Sequence, residues 1–164
     1  MKLGSAQLAL ILAVLAYPAF AEDIRGKVVG ITDGDTLTIL DINQVQHRVR
    51  IAGIDAPERK QPFGQASRQS LAHLTFGQAI EADCYKWDRK RRICNAFVST
   101  KDVGLEQVRM GMAWHYKRFA REQTPEARRA YAEAEDAARR SKLGLWQEGA
   151  NAIPPWEWRR RGRK

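Results

Sequence analysis

Four acidic residues fall into two close pairs in a chain that is otherwise strongly basic. Asp33 and Asp35 share one turn, and Asp55 and Glu58 form the second pair further along the chain. Carboxylates, backbone carbonyls and water are the ligands of hard cations such as Ca²⁺, and a further carboxylate near the cation can orient an attacking water. The alternative is that Asp33 and Asp35 are ordinary turn residues and Glu58 is a surface acid, because Asp-Gly turns are common.

Arg50 precedes the second acidic pair and lies between the apolar residues Val49 and Ile51 in a predicted strand. Its planar guanidinium matches the oxygens of a phosphate in a two-point contact. A salt bridge to a neighbouring acid is the alternative, and the pattern alone leaves both interpretations open.

These residues need a sheet to position them. The segments 24–31, 36–40 and 45–51 are predicted strands, separated by turns at 32–35 and 41–44. If the three strands form a meander, the first turn and the end of the third strand lie near each other, and both acidic pairs meet there.

The rest of the chain predicts helices around two further strands. In chain order these are a helix at 65–75, strands at 79–87 and 93–99 joined by the charged stretch 88–92, a helix at 103–112, and a helix at 127–143 with Thr124 as N-cap and Pro125 at its first position. Five short strands with an inserted helix fit an α+β, mainly β fold, a five-stranded OB-type barrel with three helices. A mixed α+β sandwich is the alternative.

Length, net charge and cysteine count limit the classes of protein to which this sequence can belong. The 164 residues suit one domain with a short extension, and the net charge of +9 favours a polyanionic partner over a neutral one. A solvated basic surface is the alternative reading of that charge. Two cysteines exclude a disulfide-dense miniprotein and a four-cysteine zinc site.

The first 21 residues have the order of features of an export signal. Lys2 is followed by the apolar run 8–16 and by Ala19-Phe20-Ala21, a small-residue cleavage site. We therefore predict a signal at 1–21, a domain at 22–150 and a Trp/Arg-rich irregular tail at 151–164. The mature protein is expected to be secreted or periplasmic, monomeric and without a membrane segment. A buried N-terminal helix is the alternative for the apolar run.

Several motifs closely resemble the thermonuclease (staphylococcal nuclease-like) family. They are Asp33-Gly34-Asp35-Thr36, the block from Arg50 to Glu58 with Asp55-Ala56-Pro57 inside it, Asp88 with Arg92, residues 108–113, and Gly144-Leu145-Trp146. The resemblance covers the chain from about Arg25 to Trp146. It implies an OB barrel and Ca²⁺-dependent hydrolysis of phosphodiester bonds in DNA and RNA. A non-catalytic OB-fold nucleic-acid-binding module is the alternative, and an adhesin for anionic polymers is a third hypothesis that leaves the acids unexplained.

The resemblance also implies roles for individual residues. Asp35, Asp55 and the main-chain carbonyl of Ala56 would be calcium ligands, although the family has Thr at that last position. Glu58 would position or deprotonate the attacking water. Arg50, and a second arginine beyond the next strand, would bind the scissile phosphate and stabilise the charge that grows on its oxygens.

The second arginine lies where the sequence departs from the family. The family has Tyr-Gly before this arginine, and this chain has Lys90-Arg91. Arg89, Arg91 and Arg92 all compete for the role. The spacing from Asp88 favours Arg92, which is expected to open the next strand, while Arg89 and Arg91 are expected to bind substrate from the turn.

Cys84 and Cys94 flank the same hairpin, and if its turn centres near Arg89 they face each other. In an exported chain they are expected to form a disulfide; two free buried thiols are the alternative.

Trp114 and Tyr116 are expected to stack on a base or to pack in the core. His47 lies on the apolar face of its strand and is expected to belong to the core.

Overall fold

The computed structural model describes residues 22–162, and the predicted export signal, residues 1–21, lies outside the described residues. The strands are β1 (Glu22–Ile31), β2 (Thr36–Asp41), β3 (Gln46–Ile51), β4 (Ile54–Asp55), β5 (Ala79–Asp88), β6 (Arg91–Val98), β7 (Lys101–Asp102) and β8 (Trp114–His115). The α-helices are α1 (Gly64–Thr75), α2 (Val103–Arg109), α3 (Pro125–Arg140) and α4 (Pro155–Arg161), with 3-10 helices at Lys117–Glu122 and Gly144–Asn151.

Five of the strands close into a barrel. β1 pairs with β2 on one side and β5 on the other, β3 follows β2, and β6 follows β5, all antiparallel. The parallel pairing of β3 with β6, with Arg50 opposite Ile93, joins the two ends of the sheet. The predicted five-stranded OB-type barrel is confirmed.

The barrel core follows from the alternation of side chains along each strand. Leu37 and Ile39 of β2, with Val49 and Ile51 of β3, are completely buried. Successive residues of a strand point to opposite faces, so the residues between them face outward or end at the barrel rim. Arg50 therefore starts on the outer face of β3, away from the core.

A disulfide joins Cys84 of β5 to Cys94 of β6, the pairing that the sequence predicted. The two residues are direct partners across the antiparallel pair, and both are buried. The covalent link therefore ties together two strands at the point where the register of β5 shifts, between Cys84 and Lys86.

The helices begin near the predicted positions but two of them end earlier. Thr124 caps α3 by accepting a hydrogen bond from the backbone N–H of Ala127 at 3.2 Å, and Pro125 occupies the first turn. α3 ends at Arg140 rather than residue 143, and Lys142 just beyond it has a positive φ. α2 ends at Arg109, three residues before the predicted end.

The tail differs from the predicted irregular strap, because residues 155–161 form α4. Pro at the first helical position, Glu157 in the first turn and three arginines in the last turn complement the helix dipole. The tail is also packed on the rest of the molecule. Trp156 stacks on Tyr116 with ring centroids 5.5 Å apart, and Gln61 Nε2 donates a hydrogen bond to the carbonyl oxygen of Ile153.

None of the helices between residues 22 and 162 combines the length and apolar character that crossing a bilayer requires.

Candidate active site

The turn between β1 and β2 is fixed against the end of β3. The backbone N–H of Ile51 donates to the carbonyl oxygen of Asp35 at 2.8 Å, and Thr36 lies opposite Arg50 in the β2–β3 ladder. Gly34 is required in this turn, because a Cβ there would come within 1.8 Å of Ser67 Oγ. The meander therefore brings the first acidic pair to the end of β3, as the sequence predicted.

The loop that carries Glu58 is held by its own hydrogen bonds and by α1. The backbone N–H of Gln61 donates to the carbonyl oxygen of Glu58, and the Gln61 side chain accepts from the Glu58 N–H. Gly64, the first residue of α1, approaches so closely that a Cβ would lie 2.0 Å from the Glu58 carbonyl oxygen. The loop between β4 and α1 is thus a fixed turn that presents the Glu58 side chain at the site.

Arg50 bridges the two aspartates. Its Nη2 lies 3.0 Å from Asp35 Oδ2 and 2.9 Å from Asp55 Oδ1, while Nη1 donates to the carbonyl oxygen of Ile54 at 3.2 Å. The Asp55 side chain has no exposed surface and that of Arg50 is 13 % exposed. One guanidinium therefore holds two carboxylates from different segments at the same point.

Burial and like charge act on the pKa values of the acids. Burial raises the pKa of Asp55, opposed by its hydrogen bonds to Arg159. Burial, assisted by the charge of Asp35, raises the pKa of Asp33 to about 7. Burial alone would lower the pKa of Arg50, but the charges of Asp35 and Asp55 outweigh it and raise that pKa. The cluster carries more negative charge than Arg50 alone balances.

Arg159 of α4 supplies a second guanidinium. Its Nη2 lies 2.7 Å from Asp55 Oδ2, and its Nη1 lies 2.8 Å from Glu58 Oε1 and 3.2 Å from Asp55 Oδ1. Sequence reasoning placed this residue in a basic tail without a specific role. The helix signals Pro155, Glu157 and the run of arginines were present, but nothing local ties Arg159 to acids 101 and 104 positions earlier.

We use the term carboxylate site for Asp35, Arg50, Asp55, Glu58 and Arg159. All of it except Asp55 lines an open cavity of about 910 Å³, whose other walls hold cations, aromatic rings and the acids Asp33, Asp88 and Glu122. The added cations are Arg48, Lys86, Arg89, Lys90 and Arg91, and the rings are Tyr85, Trp87, Tyr116 and Phe119. Of these rings only Tyr116 was a candidate from the sequence; the others come from β5 and the 3-10 helix at Lys117–Glu122, and had no motif to identify them.

The structure places Arg91, not Arg92, along this cavity. The expectation that Arg92 opens the strand while Arg91 lies in the turn is wrong, because β6 begins at Arg91. Arg92 lies opposite Val49, a core residue, so its side chain starts on the inner face of β6. Arg91 is on the outer face of β6 together with Ile93, which lies opposite Arg50.

The surroundings of the two side chains differ accordingly. Arg91 pairs with Asp88, whereas the Arg92 guanidinium donates to His47 Nδ1 at 3.0 Å and covers the Trp87 ring at 4.8 Å. The role of Arg92 stays a prediction, and the geometry favours Arg91 as the arginine that lines the cavity together with Arg50.

Trp114 is not at the cavity. Its ring packs edge-on against Trp146 at 4.3 Å and Trp156 at 5.6 Å, and the residue is 8 % exposed. The expectation that it stacks on a base is therefore not met, because α4 and the Gly144–Asn151 helix cover it. His47 is partly buried and is not part of the core, contrary to expectation; it contacts Asp41 as well as Arg92.

The donor set fits a hard cation. No cluster of three or more His, Cys, Asp or Glu side chains placed to hold a metal is found among residues 22–162. Two carboxylates are nevertheless within about 3 Å of one Arg50 nitrogen, and the Ala56 N–H donates to Asp35 Oδ2, which places the Ala56 backbone beside them. Two carboxylates and a carbonyl leave room for water and phosphate in the shell of Ca²⁺, which takes six to eight oxygens.

Comparison with known proteins agrees with this geometry. A family model described as "Staphylococcal nuclease homologue" matches residues 48–148. A protein named "Micrococcal nuclease" from Shigella flexneri is 39 % identical over 162 residues, covering 93 % of this chain and 89 % of that protein. An "Uncharacterized endonuclease" from Escherichia coli is 32 % identical over 154 residues, covering 93 % of this chain and 95 % of that protein.

A closed OB-type barrel with an acid–arginine site in a basic cavity defines a class of phosphodiester hydrolase. The chain belongs to the staphylococcal nuclease homologue family. Its activity is that of a nuclease, the hydrolysis of phosphodiester bonds.

Proposed function

We propose that this protein is an exported, Ca²⁺-dependent nuclease that cleaves DNA and RNA with little sequence specificity. One observation carries the proposal: the buried carboxylates of Asp35 and Asp55 converge on one Arg50 nitrogen, beside a cavity whose lining is rich in cations and aromatic rings. A protein that only binds nucleic acid gains nothing from acids facing a polyanion. A hydrolase needs them, to hold a cation and to handle a water proton.

The proposed roles follow the positions of the side chains. Asp35, Asp55 and the Ala56 carbonyl would hold the calcium, which supplies charge neutralisation and orientation of the phosphate when bound. Glu58, on its fixed turn beside the cavity, accepts a proton from water as the water oxygen forms its bond to phosphorus. The ester oxygen then leaves as the P–O bond breaks.

The arginines stabilise the phosphate during this step. Arg50 is fixed by three contacts, and Arg91 lines the same cavity from β6. Preorganised donors aimed at developing negative charge contribute most to reactions of this kind. Burial acts to lower the pKa of Arg50, but the charges of Asp35 and Asp55 outweigh it and raise that pKa, so Arg50 stays charged.

The lining of the cavity supports single-stranded nucleic acid as substrate. The cations are suited to the phosphate backbone, and the exposed rings of Trp87 and Phe119 offer surfaces on which any base can stack. Neither kind of contact reads a base edge, so low sequence specificity follows. Both DNA and RNA present these groups.

Export is the part of the proposal that rests on the sequence. Lys2, the apolar run 8–16 and the site at Ala19–Ala21 are ordered as in a cleaved signal. The Cys84–Cys94 disulfide supports an oxidising compartment, outside the cell or in the periplasm. Cleavage near Ala21 would leave the barrel intact, because β1 begins at Glu22.

The test is degradation of plasmid DNA and of RNA by the purified protein, with Ca²⁺ and with excess chelator after dialysis. We expect cleavage of both substrates with Ca²⁺ and loss of activity with chelator, restored on adding Ca²⁺. Full activity in chelator would contradict the calcium assignment, and cleavage of one polymer alone would contradict the substrate assignment. Amino-terminal sequencing of protein recovered from outside the cytoplasm checks the cleavage site.

A further inference from the structure

Arg159 covers the side of Asp55 that Arg50 leaves open. Arg50 contacts Asp55 Oδ1, and Arg159 contacts both Oδ1 and Oδ2. The Asp55 side chain between these two guanidinium groups has no exposed surface, whereas Arg50, Glu58 and Arg159 line the open cavity beside it. The same Arg159 nitrogen that contacts Asp55 Oδ1 also reaches Glu58 Oε1.

This arrangement differs from an ordinary surface ion pair. Exposed pairs contribute little because water solvates both charges equally well apart. Here one partner is fully buried and two carboxylates share one guanidinium, so removing Arg159 leaves the buried charge of Asp55 to Arg50 alone, which Asp35 also shares. Hydrogen bonds to Asp55 and Glu58 accordingly raise the pKa of Arg159, against the opposing effect of burial.

A divalent cation needs the oxygens that Arg159 occupies. Carboxylate lone pairs directed at a guanidinium are not available to a metal, and a second positive group at contact distance repels an incoming dication. We propose that Arg159 is a tethered counter-cation that competes with the divalent metal for Asp55 and Glu58, so that the carboxylate site is closed until the metal displaces the guanidinium. This inference rests on the proposed calcium site.

The geometry of α4 allows the exchange. Arg159 lies in the last turn of the helix, and its side chain is 34 % exposed, so it can rotate towards the cavity mouth without unfolding α4. The helix itself is held by other contacts, because Trp156 packs on both Trp114 and Tyr116. Arg159 is thus a positioning residue that acts through Asp55 and Glu58.

The test is calorimetric titration of the full chain with Ca²⁺ in the absence of nucleic acid. Arg159→Ala and Arg159→Gln remove the competing charge, and we expect each to bind Ca²⁺ roughly tenfold more tightly than the parent protein. Arg159→Lys keeps the charge and should bind nearly as weakly as the parent. Arg160→Ala removes one charge from an exposed position on the same helix, and should change the affinity less than about twofold at physiological salt, where exposed charges are screened.

A thermal unfolding series accompanies the titration. Without metal, Arg159→Gln should unfold at a lower temperature than the parent, and saturating Ca²⁺ should raise its midpoint by more than that of the parent. A purely structural Arg159 would lower the midpoint without tightening Ca²⁺ binding. Equal or weaker binding by both neutral variants overturns this inference alone, whereas no Ca²⁺ binding by any of the proteins overturns the calcium site together with it.

Discussion

Two networks of acidic and basic side chains on the barrel use the same residue types in different ways. The carboxylate site gathers three carboxylates around Arg50 and Arg159. The second network, a hydrogen-bonded series that we call the histidine chain, links Asp41 of β2, His47 of β3 and Arg92 of β6.

The histidine chain and the carboxylate site differ in the balance of their charges. In the histidine chain Arg92 must donate, so His47 Nδ1 accepts and the opposite ring nitrogen, Nε2, donates to Asp41 at 2.7 Å. The hydrogen bond from His47 lowers the pKa of Asp41. In the carboxylate site, burial raises the pKa of Asp55 despite two arginines. The hydrogen bonds of Asp41 favour its charged form, whereas burial disfavours the charged form of Asp55, and this difference supports the functional role proposed for the carboxylate site.

The largest expected effect is at Glu58. Glu58→Gln keeps the size of the side chain but removes its ability to accept a proton, so turnover should fall by about 10²–10⁴. Glu133→Gln, an exposed substitution on α3, is the matched control and should leave turnover unchanged. Steady-state hydrolysis of DNA at saturating Ca²⁺ measures both; near-parental turnover by a clean Glu58→Gln preparation would remove Glu58 from the mechanism.

The next effect separates the two neighbouring arginines of β6. Arg91→Ala should lower turnover by about 10², the scale of one lost preorganised donor, because Arg91 lies on the face of Arg50. Arg92→Ala should act mainly on stability through His47 and Trp87. Turnover and the thermal unfolding midpoint, measured for both variants, distinguish a role in turnover from a role in stability. Lost turnover in Arg92→Ala alone would show that the spacing from Asp88 was the better guide.

The disulfide ties β5 to β6, the strand that carries Arg92 and pairs with the strand of Arg50. Cys84→Ser with Cys94→Ser should lower the free energy of unfolding by about 2–3 kcal/mol, because the link closes only a short loop. Denaturant unfolding measures this change, and turnover of the folded fraction should be retained. Mass spectrometry of alkylated, unreduced protein checks the premise: two blocked thiols would mean that no bridge forms.

The smallest effect is the pH dependence of the histidine chain. The pKa of Asp41 is lower in the folded than in the unfolded protein, so its stabilisation is present above pH 3.8 and is lost as the pH falls through the folded value. Asp41→Asn should therefore unfold at a slightly lower temperature than the parent at pH 6, and the gap should close in strong acid, once Asp41 of the parent has lost its charge. A gap that persisted at pH 2 would show that Asp41 acts by packing rather than charge.

The barrel and the core of the site were accessible from the sequence, because both depend on short-range patterns. Alternation predicted β2 and β3, and the turn at Asp35 with the block from Arg50 to Glu58 placed the acids together. Each of these features is encoded within a few neighbouring residues.

The residues that sequence reasoning missed depend on where elements end and on long-range packing. The face of Arg91 is set by the register of β6 against β3, and a shift of one residue in that register moves a side chain to the other face of a strand. Arg159 reaches Asp55 only because α4 forms and packs on Tyr116, and a seven-residue helix gives almost no periodic signal.

The difference between the carboxylate site and the histidine chain is tested most directly by comparing Asp55→Asn with Asp41→Asn. Each substitution neutralises one aspartate that is hydrogen-bonded on the barrel, one in the carboxylate site and one in the histidine chain. Turnover on single-stranded DNA at saturating Ca²⁺ should fall by at least about 10² in Asp55→Asn, the scale of a lost charge-stabilising group. It should stay within about twofold of the parent in Asp41→Asn. Equal turnover in the two variants would contradict the assignment of the chemistry to the carboxylate site.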